Sequence, residues 1–166
     1  MRTITTLFFA LGLMLSTLLA CAQSKADRIY DTFEDQDGIS CFTFTKNMTD
    51  AFNIDLGDDG EEKNVSGDLN QIRFLSYNPE KGKMSGESFI RKAVSMLPSQ
   101  YKKHEDEDND SDAEVWLLGG KKKYSECHIF IRNDNPDGNC FLVSFYGNFL
   151  VNDLKKLKEK SKDFSN

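Results

Sequence analysis

The chain has 166 residues, of which 39% are hydrophobic and 11% aromatic, and this composition excludes an intrinsically disordered protein. Acidic residues number 27 and basic residues 21, so the net charge is −6 and the isoelectric point is near 5.0. Because a negative surface repels phosphate groups, the charge excludes nucleic acid as the main partner.

The N-terminal 20 residues are predicted to be a signal peptide. Arg2 supplies one positive charge, and an uncharged, mainly apolar run follows it and ends in small residues around Cys21. Leu18 and Ala20 before Cys21 also match the lipobox of bacterial lipoproteins, in which the cysteine receives a diacylglyceryl group. We therefore predict cleavage before Cys21, lipidation of Cys21, and a single globular domain over residues 21–166 in the cell envelope.

A second cleavage site competes with the lipoprotein site. Ala20-Cys21-Ala22 also has the small-x-small pattern of an ordinary signal peptidase site, and cleavage there would release a soluble periplasmic or secreted protein beginning at Gln23. Retention as a membrane anchor is the third alternative, although a spanning helix needs about 20 apolar residues and firmer flanks. The sequence leaves these alternatives open.

The first half of the mature chain alternates between helical and strand-like patterns. Apolar residues recur at helical spacing in some segments and alternate with polar residues in others. The predicted elements are a helix over 24–36 stopped by Gly38, a strand over 39–45, a short helix over 48–52, a strand over 72–77 and a helix capped by Ser85. Residues 55–68 are predicted to form a solvated loop.

The second half is rich in strands. Strands are predicted over 114–118, 124–132 and 139–146, and the short turns between them indicate antiparallel pairing. The last two strands are apolar on both faces, which is typical of central strands covered on both sides. One face is predicted to carry Phe130, Phe141, Val143 and Phe145, and the other face Ile129, Ile131 and Leu142. Phe141, Val143 and Phe145 are expected to be largely buried. The sequence therefore predicts an α+β domain with a mostly antiparallel five-stranded sheet and helices on at least one face.

Two acidic segments match calcium-binding loops only in part. The run over 104–112 alternates aspartates as an EF-hand loop does, but Ser111 stands where glycine is needed and Leu117 where glutamate is needed. Residues 55–60 have a similar look, with Ser66 in place of the closing glutamate. We predict a hydrated loop and no metal site in either segment.

Three cysteines of the mature chain are predicted to be free thiols. Cys127 and Cys140 lie on paired strands but too far apart along them for a disulfide, and Cys41 would bond to either only if its strand lay alongside. Cys127 and His128 are neighbours on a strand and point to opposite faces, so they cannot share a metal or form a nucleophile pair. Pairing of His128 with Cys41 or Cys140 stays open. The sequence predicts no catalytic residue, no metal and no cofactor.

The predicted last helix, after Asn152, carries a lysine-rich face. The outward lysines are Lys155, Lys156, Lys158, Lys160 and Lys162. This face is a candidate for contact with anionic lipid headgroups, which would suit a protein attached to the membrane through Cys21. A solvated amphipathic helix packed on the sheet is the simpler explanation of the same pattern.

The ordered set of motifs resembles a known family. An Asp37-Gly38 step follows the first helix, Phe44-Thr45-Lys46-Asn47-Met48 follows the first strand, and the last strand, 141–149, precedes Asp153-Leu154. This order is similar to that of a Bacteroidetes family, domain-of-unknown-function family 4252, over roughly residues 27–157. The resemblance implies an exported protein and no catalytic residue. Many members have an ordinary Ala-Gln junction after the signal, which is present here at Ala22-Gln23.

These observations favour a non-enzymatic cell-envelope protein. We expect it to be attached to the membrane through a lipid anchor and to bind another envelope protein or a glycan, while its oligomeric state is not indicated. The alternatives are a small envelope enzyme with a site assembled from dispersed residues, and a regulatory or stress-related accessory protein. A cleft with clustered polar groups and perturbed pKa values would favour an enzyme, and an exposed apolar sheet face would favour binding.

Overall fold

The computed structural model describes Ser24 and residues 26–47, 67–104, 112–120 and 123–150 of the chain. Within these ranges the protein has the predicted α+β architecture. The helices are α1 (Asp27–Phe33) and α2 (Gly86–Ser95). The strands are β1 (Ile39–Thr45), β2 (Gly67–Tyr77), β3 (Lys102–His104), β4 (Ala113–Gly119), β5 (Lys123–Ile131) and β6 (Cys140–Leu150).

The strands form one antiparallel sheet in the order β1-β2-β6-β5-β4-β3. Strands β3 to β6 follow one another as a meander, and β6 pairs with β2, which joins the meander to the β1-β2 pair. Among the described strands, β2, β6, β5 and β4 are therefore interior, and β1 and β3 are at the edges. The antiparallel pairing predicted from the short turns is confirmed.

Both helices pack on the same face of the sheet. The rings of Phe33 in α1 and Phe89 in α2 lie 5.0 Å apart, and Phe89 stacks on Tyr77 of β2 at 4.7 Å. Ser85 begins α2 as predicted, since its side chain accepts a hydrogen bond from the Ser88 N–H at 3.2 Å. The buried apolar residues of this face are Ile29, Tyr30, Phe33, Leu75, Tyr77, Phe89, Ile90, Ala93, Phe130, Cys140 and Leu142.

The opposite face of the sheet is also buried and apolar. Its buried residues are Ile72, Ala113, Val115, Leu117, Cys127, Ile129, Ile131, Phe141, Val143 and Phe145. Phe141, Val143 and Phe145 are 6%, 1% and 3% exposed, so their predicted burial is confirmed. Strands β5 and β6 are buried on both faces, as expected for apolar strands at the centre of a sheet.

In the part of the chain that the structure describes, the sheet has six strands, and the predicted number of five was wrong. The missing strand, β3, has three polar residues at the sheet edge, so no apolar alternation marks it in the sequence. His104 is the last residue of β3, whereas the sequence predicts a loop beginning at this residue. Strand β2 also begins at Gly67 instead of Ile72, and β6 continues to Leu150. The first residues of β2 are mainly polar and overlap the loop predicted over 55–68, and Gly147 and Asn148 interrupt the apolar alternation of β6, so no local pattern marks either extension.

The predicted distribution of apolar residues between the two faces of β5 and β6 was also wrong. The register pairs Ile131 with Phe141 and Ile129 with Val143, so these four residues share a face. Phe130 lies opposite Leu142 on the helix-covered face. Alternation determines the two faces of each strand separately, but only the register between strands decides which faces coincide.

Gly38 leads the chain into β1. Its φ of +82° lies in the left-handed region, and a Cβ atom there would lie 2.5 Å from the carbonyl oxygen of Asn78. The Gly38 carbonyl also accepts a hydrogen bond from the Asn78 N–H at 2.8 Å. A glycine is therefore required at this turn, where the sequence predicted the end of the first helical segment.

Several predicted features lie outside the described residues. They are the signal peptide with Cys21, the helix over 48–52, the acidic segment over 55–60, residues 105–111 of the acidic run, and the lysine-rich helix. None of the helices in the described part of the chain is long and apolar enough to cross a membrane.

Candidate functional site

Polar residues occupy the part of the helix-covered face that lies beyond the aromatic cluster. Glu126 and His128 lie two residues apart on β5 and therefore share a face, and Ser144 of β6 is paired with His128. His128 and Ser144 are fully buried and Glu126 is 9% exposed. Polar groups at this depth require hydrogen-bond partners, because an unsatisfied buried group costs about 1–3 kcal/mol.

Hydrogen bonds connect these side chains in series. The Ser144 hydroxyl lies 2.7 Å from Nδ1 of His128, and Nε2 of His128 lies 3.2 Å from Oε2 of Glu126. The same carboxylate oxygen accepts hydrogen bonds from the hydroxyls of Ser24 and Tyr101, each at 2.7 Å. Glu126 thus receives three donors from separate parts of the chain.

The protonation pattern follows from the donors and acceptors available. An ionised carboxylate only accepts hydrogen bonds, so the proton of a neutral His128 ring lies on Nε2, facing Glu126. Nδ1 is then an acceptor for the Ser144 hydroxyl. The Ser144 oxygen in turn accepts from the phenol of Tyr30 at 2.7 Å. In this series each residue donates a hydrogen bond to the next, from Tyr30 of α1 to the Glu126 carboxylate.

A second polar group links α1 to β2 and β6. Asp27 of α1 accepts hydrogen bonds from the Arg73 guanidinium at 2.9 Å and from the Tyr146 phenol at 3.1 Å. The Arg73 guanidinium also lies 3.9 Å from the centre of the Tyr30 ring, which places its charge against the ring face. These contacts therefore fasten α1 to the sheet. We call the residues of both groups the polar network: Ser24, Asp27, Tyr30, Arg73, Tyr101, Glu126, His128, Ser144 and Tyr146.

The environment of the polar network shifts the pKa values of its tyrosines and of Glu126. Burial raises the pKa of the Tyr30 and Tyr146 phenols far above the usual value, so both remain hydrogen-bond donors. Burial and the nearby Glu126 carboxylate likewise raise the pKa of Tyr101. Burial alone would raise the pKa of Glu126, but hydrogen bonds from His128, Ser24 and Tyr101 outweigh it and lower the pKa below its usual value.

Ser144, His128 and Glu126 have the residue types of a hydrolytic triad, but their geometry differs from one. In such triads Nε2 of the histidine faces the serine and Nδ1 faces the acid, whereas here the two nitrogens are exchanged. Ser144 is also fully buried, so a substrate carbonyl cannot reach its oxygen in this conformation. The arrangement therefore supports the fold, and nothing in this conformation gives it access to a substrate.

A cleft of about 690 Å³ lies between the N-terminal part of α2 and the loop that joins β5 to β6. Its volume falls in the range of small-ligand sites, about 300–1,000 Å³. Its charged lining residues are Glu87, Arg91, Asp112, Glu114, Arg132 and Asp134. Negatively charged carboxylates and positively charged guanidinium groups thus line the same cleft. This cleft is the accessible candidate site.

The wall of the cleft is organised around Glu114. Its carboxylate forms an ion pair with Arg132, accepts a hydrogen bond from the Trp116 indole at 3.3 Å, and lies 3.4 Å from the Lys103 ammonium. Burial opposes ionisation, but Arg132 outweighs it and lowers the pKa of Glu114 below its usual value. Glu114 is therefore charged at neutral pH and positions Arg132 at the cleft.

The floor of the cleft contains a thiol with low reactivity. Cys140 is 3% exposed, and burial raises the pKa of its thiol. Gly86 packs directly on it, since an added Cβ at Gly86 would lie 2.6 Å from the Cys140 sulfur. A buried thiol with a raised pKa is a poor nucleophile. Cys140 is therefore a poor candidate for a nucleophile, and the charged side chains of the cleft come from its walls.

The structure places some of the predicted chemical residues and not others. Cys41, Cys127 and Cys140 are free thiols, as predicted, although Cys41 is only partly buried. His128 bonds to Ser144 and Glu126, so the pairing of His128 with a cysteine that the sequence left open is not observed. Among the described residues no group of three or more histidine, cysteine and acidic side chains is arranged to hold a metal ion. Cys21 and the five lysines from Lys155 to Lys162 lie outside the described residues.

Sequence reasoning missed the polar network and the cleft. A usable signal for the network was the pair Glu126 and His128, because two polar residues on one face of an otherwise apolar strand require buried partners. The partners Tyr30 and Ser144 carried no such signal. The cleft is built from α2, β4 and the β5-β6 loop, which come together only in the folded protein.

Residues 30–157 match the model of one protein family, described as a domain of unknown function (DUF4252). The chain belongs to the DUF4252 family. This confirms the resemblance found in the sequence motifs. The matched range contains all six strands, α2 and the whole cleft, so the candidate site is part of the DUF4252 domain. No curated protein and no solved structure matches the chain.

Proposed function

We propose that this DUF4252 protein is a non-enzymatic component of the bacterial cell envelope that binds an envelope protein or glycan in the cleft beside α2. The observation that carries the proposal is the charged lining of a cleft of about 690 Å³. Four carboxylates and two guanidinium groups can orient a polar ligand by charge and hydrogen bonds. The residues with catalytic potential, Ser144 and His128, are fully buried elsewhere.

The proposal includes attachment to the membrane through an acylated Cys21. Ser24 is bound to Glu126 of β5, and it follows Cys21 by three residues. Since an extended residue spans at most about 3.6 Å, an acylated Cys21 would hold the domain within roughly 11 Å of the lipid surface. Lys155, Lys156, Lys158, Lys160 and Lys162 would then contact anionic headgroups. The competing form is a soluble protein that begins at Gln23.

Replacing Cys21 with serine should abolish lipid attachment. Cells that express the full chain and are fed an alkyne-labelled fatty acid should label the wild type and not Cys21→Ser, because the serine hydroxyl is not a substrate for the lipidating transferase. Cys127→Ser is the matched control, since Cys127 is a fully buried thiol, and it should keep the label. An unlabelled, freely soluble wild-type protein beginning at Gln23 would refute the anchor.

A photo-crosslinking side chain in the cleft should capture the binding partner. We would place benzoylphenylalanine at Arg91, which lines the cleft and is exposed, or at Thr32, which is exposed on α1 and does not line it. In intact cells Arg91 should give a defined adduct of higher mass. Thr32 should not give it, because the partner contacts the cleft walls.

Charge reversal tests whether this adduct depends on the cleft. Asp134→Lys, in the cleft wall, should lower the adduct yield at least tenfold, equivalent to about 1.4 kcal/mol. Asp31→Lys makes the same change on exposed α1 and should leave the yield unchanged. Equal adducts at Arg91 and Thr32, or an adduct indifferent to Asp134→Lys, would contradict binding in the cleft.

A small hydrolase is the second candidate, and the Ser144-His128-Glu126 hydrogen bonds are the observation that favours it. Catalysis would require α1 to move away, because Tyr30 of α1 covers Ser144 and donates to it. Covalent labelling of the full chain by a fluorophosphonate, lost in Ser144→Ala, would support this candidate. Such labelling would count against the binding role.

A further inference from the structure

The hydrogen-bond series that runs from α1 to Glu126 has an alternative acceptor at its α1 end. The Tyr30 phenol lies 2.7 Å from the Ser144 hydroxyl oxygen and 3.1 Å from the backbone carbonyl oxygen of Arg73 on β2. Arg73 and Ser144 are paired across β2 and β6, so both acceptors lie beside the same phenol. A carbonyl oxygen has two lone pairs and can accept from Tyr30 in addition to a bond within the sheet. Tyr30 can therefore donate to β6 or to β2 by rotating only its hydroxyl hydrogen.

The middle of the series can reverse in the same way. Ser144 lies 2.7 Å from both the Tyr30 oxygen and Nδ1 of His128, and a serine hydroxyl can donate to one neighbour while it accepts from another. With a neutral His128, Ser144 donates to Nδ1 and accepts from Tyr30. With a charged His128, both ring nitrogens are donors, so Ser144 must accept from Nδ1 and donate to Tyr30. Tyr30 then donates to the Arg73 carbonyl, and each hydrogen of the series keeps an acceptor.

We propose that this series is a proton-operated switch, in which protonation of His128 at Nδ1 reverses its hydrogen bonds and transfers the Tyr30 donor from β6 to β2. One proton is taken up from solvent, the Nδ1 lone pair forms the new N–H bond, and no other covalent bond forms or breaks. The heavy atoms stay in place, because only the hydroxyl hydrogens of Ser144 and Tyr30 rotate. Helix α1 therefore keeps a hydrogen bond from Tyr30 to the sheet in both states.

The groups around the His128 ring can accommodate a positive charge. On β5, Oε2 of Glu126 lies 3.2 Å from Nε2 and supplies the opposite charge directly. The rings of Tyr101 and Tyr146 lie 5.3 and 5.8 Å from the imidazole, and burial raises the pKa of both phenols, so they remain uncharged. Trp116 of β4, at the position paired with His128, does not titrate.

The charged groups on the α1 side form a pair of their own. The Arg73 guanidinium lies over the Tyr30 ring and binds the Asp27 carboxylate at 2.9 Å, so its positive charge is balanced there. A buried charge is tolerated where it is both paired and hydrogen-bonded. A charged His128 meets both conditions, with the Glu126 carboxylate at Nε2 and the Ser144 oxygen at Nδ1.

Nitrogen NMR of the full chain, labelled with 15N in its histidine rings, tests the switch in the wild type. His104 and His128 are the two histidines of the sequence, so His104→Gln assigns the signals. Ring-nitrogen shifts distinguish the two neutral tautomers from the charged ring. We expect the Nε2–H tautomer of His128 at about pH 8, and a charged ring on acidification while the amide signals of α1 stay in place. An Nδ1–H tautomer, or a His128 that becomes charged only when the protein unfolds, would overturn the proposal.

Tyr30→Phe tests the reversal itself. Phenylalanine keeps the ring but removes the acceptor that Ser144 needs when His128 is charged, whereas a neutral His128 still receives the Ser144 hydroxyl. The change from neutral to charged His128 should therefore move to lower pH by about one unit or more, a roughly tenfold loss of proton affinity. Tyr77→Phe is the matched control, because this buried phenol donates to the Met84 carbonyl instead, and it should leave the change in place. Equal effects of the two variants, or no effect of Tyr30→Phe, would contradict the reversal.

Discussion

Replacing Glu126 with alanine should lower the free energy of unfolding by about 3–5 kcal/mol, which is the usual loss when one member of a buried polar network is removed. The carboxylate accepts hydrogen bonds from His128, Ser24 and Tyr101. Its removal leaves several buried donors without partners, at about 1–3 kcal/mol each. Ser24 also loses its hydrogen bond to β5.

Urea-induced unfolding of the full chain measures this loss. Glu80→Ala is the control, since Glu80 is exposed in the loop after β2 and its side chain should contribute less than about 0.5 kcal/mol. Glu126→Gln keeps the volume and one acceptor oxygen, so it should cost less than Glu126→Ala. A loss below about 1 kcal/mol for Glu126→Ala would mean that the network is not an important support of the fold.

The pH dependence of the same variants provides an independent check. The pKa of Glu126 is lowered in the folded protein, so folding favours the charged form. Its contribution should be complete above the unfolded-state pKa, about 4.3, and should disappear as pH falls through the lower folded-state pKa. The stability difference between wild type and Glu126→Gln should therefore shrink below about pH 4. A constant difference down to pH 2 would show that the charge of Glu126 is not involved.

Replacing Phe145 with alanine should cost about 3–5 kcal/mol, because the change removes a buried ring and leaves a cavity. Phe145 is 3% exposed on β6 and lies opposite Cys127 and Ile72 in the apolar cluster of the second face. Central strands pack on both faces, so neighbouring side chains cannot move far enough to fill the space.

The control for this variant is the same substitution at an exposed phenylalanine. Phe42→Ala should change the unfolding free energy by less than about 0.5 kcal/mol at low protein concentration, because Phe42 is 57% exposed. Urea-induced unfolding of both variants at the same concentration gives the comparison. Similar losses for Phe145→Ala and Phe42→Ala would contradict the burial of this face.

Much of the local structure could be predicted because local patterns report local geometry. Alternation located β1 with its observed bounds, and the Ser85 cap and the following apolar stripe located α2. The double apolar faces of β5 and β6 correctly indicated central strands. Strand β3 escaped prediction because Lys102, Lys103 and His104 owe their strand conformation to pairing with β4, which no local pattern records.

The candidate site was much less predictable than the elements that carry it. Tyr30 and Ser144 lie 114 positions apart in the chain, and they meet only because α1 packs over β6. The cleft likewise depends on the packing of α2 against the β5-β6 loop. Neither arrangement has a spacing motif, because its members come from elements that are neighbours only in space.

Residue patterns were enough to predict the α+β class, the family, the antiparallel pairing of the last strands and the burial of Phe141, Val143 and Phe145. The family follows from the order of motifs along the chain, and the other features follow from composition, from alternation with period two and from short turns, which act over a few residues. Three features emerge only in the folded protein: the faces of β5 and β6 that coincide, the burial of Glu126 with His128, and the exposure of Phe42 on β1. Those depend on strand register and order, which are set by contacts between residues far apart in the chain.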